Sequence, residues 1–140
     1  MKKYTILIVL LFITVIAVFA NDTIFAKALK SCSSYSEFGT VNTDGMQVDS
    51  HKQILGWENN KCVYKEALTF SGVNTTVTCR FSKPQLNEIY SVMQAYEVIS
   101  QYTSQNIDTS SVEAVQNNPV VKVWNKYLQD SSVCTISNSN

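Results

Sequence analysis

The run from Lys52 to Phe81, KQILGWENNKCVYKEALTFSGVNTTVTCRF, constrains this chain more than any other stretch because its residues alternate. Between Lys61 and Phe70 the even positions Cys62, Tyr64, Leu68 and Phe70 are apolar, and Lys61, Lys65 and Thr69 separate them. That is the two-residue period of a strand with one buried face. Between Val73 and Phe81 the phase is odd, with Val73, Val77, Cys79 and Phe81 on one side and Asn74, Thr76, Thr78 and Arg80 on the other. Opposed residues of an antiparallel pair share a face, so an even strand meets an odd one only if paired numbers have an odd sum. A two- or four-residue connection around Ser71, Gly72 and Val73 supplies that register, and the two-residue form sets Tyr64, not Cys62, opposite Cys79.

The chain opens with Met1, Lys2 and Lys3 and then carries no charge from Tyr4 to Ala20, ending Val18, Phe19, Ala20. A basic start, an apolar run and small residues at the last and third-last positions are the marks of a secretory signal peptide cleaved after Ala20. An uncleaved anchor is the rival reading, at the lower edge of the roughly 17 to 25 residues that span a bilayer. Residues 21–140 are then one domain of modest core. Without Lys2 and Lys3, nine basic side chains stand against eleven acidic ones, a net charge of −2 with no run of like sign. Nucleic-acid binding needs a basic stripe to neutralise phosphates, so that class is excluded.

Export gives meaning to the four cysteines, Cys32, Cys62, Cys79 and Cys134: an even count outside the reducing cytosol reads as two disulfides. Three connectivities exist. Cys62 and Cys79 lie on one sheet face in neighbouring strands and are the favoured pair, although a two-residue turn makes their contact diagonal. Cys32 would then join Cys134 and tie the ends of the domain together.

The rest of the chain supplies the layers. Asp22 to Ser31 places Ile24, Phe25, Ala28 and Leu29 at helical spacing behind a capping Asp22. Ser33 to Gly45 is rich in Ser, Thr, Asn and Gly and reads as a loop ending in an Asp44–Gly45 turn. From Met46 to Trp57 the apolar phase switches from even (Met46, Val48, Ile54) to odd (Leu55, Trp57), which predicts a bulge, and Asn59–Asn60 predicts a tight turn. Ser82, Pro84 and Gln85 announce a helix whose stripe is Leu86, Ile89, Tyr90, Met93, Tyr96 and Ile99. A helical turn near Val112 to Gln116 precedes Pro119, which opens a last helix with Val120, Val123, Trp124, Tyr127 and Leu128 on one side. A polar tail follows, and 136–140 reads as disordered. The expectation is an α+β fold: a short N-terminal helix, a three-stranded antiparallel meander, a long helix packed on the sheet, a C-terminal helix and two disulfides.

Chemistry-bearing residues are sparse. His51 is the only histidine, and Asp49 shares its strand face, so a Ser-His-Asp hydrolase can be imagined, without any nucleophile-elbow motif behind it. Glu66 falls on the apolar phase of its strand and could be a carboxylate of raised pKa, although a strand end reaching solvent explains it more cheaply. Cysteine spacings of 30, 17 and 55 contain no CxxC, against zinc and against a thioredoxin-like redox site, and no cofactor motif exists. Trp57, Tyr64, Phe70, Tyr90, Tyr96, Trp124 and Tyr127 could line a cleft but are also what a core needs. Asn21-Asp22-Thr23 and Asn74-Thr75-Thr76 match the N-glycosylation pattern, which bears only on a eukaryotic source.

The layout of Gly56, Trp57, Asn60, Lys61, Cys62 and Tyr64, then Cys79 and Pro84, resembles in general outline small cysteine-containing exported bacterial proteins of unknown function. No residue role follows from that. The reading is a periplasmic or secreted binding or accessory module of the cell envelope, without catalysis, catalytic residue, metal or cofactor, acting on an envelope protein or a small ligand. A small hydrolase using His51 and an inhibitor presenting the Ser33–Gly45 loop are the alternatives.

Overall fold

A computed structural model describes residues 23–43, 46–103 and 116–139. The signal peptide, the Asp22 cap, the Asp44–Gly45 turn and the helical turn near Val112 lie outside them. The described elements are α1 (Thr23–Ser31), β1 (Tyr35–Thr43), β2 (Met46–Glu58), β3 (Lys61–Phe70), β4 (Val73–Phe81), α2 (Lys83–Thr103), α3 (Pro119–Leu128) and β5 (Cys134–Ser139). The strands form one antiparallel sheet in the order β1-β2-β3-β4-β5.

The hairpins follow from local chemistry. Asn59 and Asn60 have φ of 49° and 62°, and Ser71 and Gly72 have 47° and 78°. Two successive positive φ values make the turn whose twist matches the strands it joins. The second turn pairs Phe70 with Val73 and hence Tyr64 with Cys79. In β2 the phase switch is a bulge: Ile54 pairs with Tyr64, Gly56 with Val63, and Gly56 takes φ of 101°, a conformation that suits a residue without Cβ.

The helices start where side chains can hold their free N–H groups. The Ser82 backbone N–H donates to Gln85 Oε1 at 2.7 Å, half of a capping box, and Asn118 Oδ1 accepts from the Val120 and Val121 N–H groups ahead of α3. All three helices contribute to one core. Phe25, Ala26 and Leu29 from α1, Leu86, Ile89 and Met93 from α2, and Val120, Val123, Trp124 and Tyr127 from α3 pack with Ile54, Tyr64, Val77, Cys79 and Phe81 of the sheet. Trp124 is the centre of this packing, with ring centroids 5.4 Å from Tyr64, 5.8 Å from Phe81 and 6.4 Å from Phe25. Truncating such a ring to alanine costs about 3–5 kcal/mol. On α1 the buried stripe uses Ala26 in place of Ile24, which is exposed.

Among the described residues the sheet has five strands rather than three. Tyr35–Thr43, expected as a loop, is β1, and Ile136–Ser139, expected as a disordered tail, lies within β5. Both are edge strands of the described sheet, each paired on one side only among the described residues, so the alternation that announces a buried strand is weak in them. Their existence overturns the expected disulfides. The bonds are Cys32–Cys62 and Cys79–Cys134. Cys62 lies opposite Phe81, whereas β5 sets Cys134 directly opposite Cys79 with Cα atoms 4.1 Å apart. Cys32, at φ of 53° just past α1, reaches Cys62 and pins that helix to the end of β3.

Candidate functional site

The sheet has one face under the helices and one without them among the described elements, and each carries a polar constellation.

The uncovered face holds His51. Across the β1–β2 register Phe38 lies opposite His51, and Thr40 opposite Asp49. The imidazole stacks on the Phe38 ring with centroids 3.8 Å apart and planes 12° from parallel, and His51 Nε2 shares a hydrogen bond of 2.9 Å with the Ser36 hydroxyl. Asp49 does not complete a triad with them. Its Oδ1 accepts from Thr40 Oγ1 at 2.8 Å and from Gln47 Nε2 at 3.0 Å, and these bonds, Thr40 first, hold its carboxyl below the usual range. A histidine with a hydroxyl on one nitrogen can polarise that hydroxyl, but no carboxylate of β1 or β2 bonds the imidazole to fix its tautomer. Phe38 is 77% exposed, so nothing excludes water from the pair.

The covered face holds Glu66. It is 1% exposed in the middle of β3, not at a strand end, which corrects the expectation of a solvent-reaching carboxylate. Glu37, Lys52 and Glu66 are register partners on β1, β2 and β3 and form an acid-base-acid row beneath the helices. Tyr64 donates its hydroxyl to Glu66 Oε2 at 2.8 Å. Lys52 Nζ stands 3.9 Å from Glu37 Oε2 and 4.4 Å from the centroid of Phe25, whose ring face is a favourable seat for an ammonium. Glu66 Oε1 and Trp124 Nε1 are buried without a hydrogen-bond partner among the described residues. Burial raises the Glu66 carboxyl above its usual value, while Lys52 and then the Tyr64 hydroxyl pull it down. Burial raises the Tyr64 phenol in turn, reinforced by the Glu66 charge. Perturbed buried groups mark functional sites and structural networks alike.

The two sites were unequally legible. Glu66 and Lys52 share the even apolar phase with Leu68 and Ile54, so their burial could be read from alternation. Glu37 and Ser36 could not, because the strand carrying them reads as a loop. Among the described residues no group of three or more His, Cys, Asp or Glu could hold a metal ion. All four cysteines are in disulfides. Of the aromatic set, Tyr64, Trp124 and Tyr127 are core, Phe70, Tyr90 and Tyr96 half-buried, and Trp57 exposed. No described helix is long and apolar enough to cross a membrane. No family model matches the chain, and neither a curated protein nor a solved structure does.

Proposed function

We propose that this chain is an exported, disulfide-stabilised binding or accessory module that works without catalysis. The observation that carries the reading is the state of the only histidine. His51 is committed to an exposed aromatic ring and a hydroxyl, while the nearby carboxylate of Asp49 is committed to Thr40 and Gln47. The exposed Phe38, Leu55 and Trp57 are the kind of apolar contact point a partner covers. Two disulfides are compatible with export, and the partner is an envelope protein or a small ligand.

The Ser36–His51 bond favours the small-hydrolase reading as runner-up. For the inhibitor reading, Tyr35–Thr43 of its expected loop is strand β1. One experiment separates the first two: wild type, Ser36→Ala and His51→Ala are compared on ester, peptide and glycoside substrates, with folding followed by circular dichroism. No turnover that depends on either residue is expected. Turnover lost in both variants while the fold stays intact would put the hydrolase first.

A further inference from the structure

We propose that β1 is an interface to a second copy of this chain, the two strands pairing antiparallel about a two-fold axis at Phe38. This goes beyond the binding-module reading, which survives if the protein proves monomeric.

The argument starts from where the backbone of β1 points. Neighbouring residues of a strand send their N–H and C=O groups to opposite sides. The Arg80 N–H donates to the Val133 carbonyl at 2.8 Å, on the β5 side, so the backbone groups of Cys79 face β3 and its partner Tyr64. Tyr64 therefore turns away from β2, and Ile54 opposite it turns toward β1 and Tyr35. Carried along β1, the alternation gives Tyr35, Glu37 and Gly39 to the ladder with β2. It leaves the N–H and C=O groups of Ser36, Phe38, Thr40 and Asn42 aimed at the open edge.

Natural edge strands are blunted by lysine, proline, a bulge, brevity, an inward-pointing charge or a covering element. Of these β1 carries only the inward-pointing charge, Glu37, and no described strand pairs with its outer edge. Its nine residues pair with β2 without a register break, and they include no Lys, Arg or Pro. Ser36, Phe38, Thr40 and Asn42 are all exposed. The only charge in the strand is Glu37, which points to the helix-covered face beside Lys52.

Self-pairing is supported by how charge and shape fall in register when β1 meets its own copy. Even positions must meet even positions for the open backbone groups to bond. Placing Glu37 on the axis would face two like charges, which is destabilising. Placing Phe38 on the axis sets it against the partner's Phe38, Ser36 against the partner's Thr40, and Glu37 against the partner's Gly39, which has no side chain to meet it. Each Phe38 ring is backed by His51 on the β2 side, so the pair adds a cross-strand aromatic contact to the two hydroxyl pairs. The product is a continuous ten-stranded sheet closed by symmetry.

The test combines sedimentation velocity with amide hydrogen exchange on the purified wild-type protein across the micromolar range. Concentration-dependent dimers are expected, with the Ser36, Phe38 and Thr40 amides slowing as dimer forms and the Glu37 and Gly39 amides protected at every concentration. Phe38→Lys should weaken dimerisation roughly tenfold or more, since two like charges then face each other on the axis in place of the aromatic pair, and independently Thr40→Lys should weaken it by replacing each hydroxyl pair with a lysine set against the partner's Ser36. Circular dichroism and intact disulfides serve as the folding control. A monomer throughout, dimers that leave those three amides exchanging freely, or protection that does not change with concentration would each overturn the proposal.

Discussion

Glu66→Gln tests the buried row directly, because glutamine keeps the shape and the acceptor for the Tyr64 hydroxyl but removes the charge. The wild-type carboxyl sits at 1% exposure and is raised above its usual value by burial, so the folded protein holds its proton after the unfolded chain has released it. In that window the native state binds more protons than the unfolded one, and stability falls as pH rises. One proton sets the limit of that slope at about 1.4 kcal/mol per pH unit. The contribution is complete below the ordinary carboxylate pKa, declines through mildly acidic pH and levels off above the raised folded value. Lys52 on β2 and Tyr64 on β3 are the titratable groups acting on Glu66, with Glu37 of β1 beyond Lys52 in the row and Phe25 and Trp124 packed on the Tyr64 ring. Those groups remain in the variant, so urea unfolding at a series of pH values isolates the Glu66 share as the difference between the two proteins. Wild type should lose stability relative to Glu66→Gln as pH rises from acid toward neutral. Parallel curves, or a wild type that gains on the variant, would show that the carboxylate is ionised in the fold and that the burial argument is wrong. Glu66→Leu adds a second reading: stranding the Tyr64 hydroxyl should cost about 1–3 kcal/mol at any pH where Glu66 is neutral.

Peptide mapping without reduction should recover Cys32 joined to Cys62 and Cys79 joined to Cys134; replacing either pair by alanine should cost about 4 kcal/mol, the longer loop slightly more, read by chemical denaturation. His51→Ala removes a ring stack and one hydrogen bond at the surface and should shift unfolding free energy by less than about 1 kcal/mol, so a larger loss would assign His51 a structural role. Gly56→Ala forces a Cβ into φ of 101°; no atom crowds the added carbon, so the loss of about 1–3 kcal/mol in thermal or urea unfolding measures backbone strain alone.

How much of this molecule can be read without coordinates depends on whether the determining interactions are local. The β3–β4 register, the Asn59–Asn60 and Ser71–Gly72 turns, the Gly56 bulge, the Ser82–Gln85 cap and the start of α3 at Pro119 are all legible, since each rests on residues close in the chain. The buried stripe of α2 is legible for the same reason: helical period records which side meets the sheet. Edge strands leave a fainter record. β1 buries Tyr35 only partly and turns the charged Glu37 toward the helices, and β5 has Cys134 as its one residue on the core face that is fully buried, so composition alone reads both as loop and tail. Everything that depended on them was decided by tertiary structure: Cys79 pairs with Cys134 because β5 docks beside β4, and Cys62 is thereby left for Cys32. The acid-base-acid row and the Ser36–His51 bond arise likewise from β1 pairing with β2. Alternation along a strand reports which face a residue takes, but which strand lies beside it is settled only when the chain closes on itself.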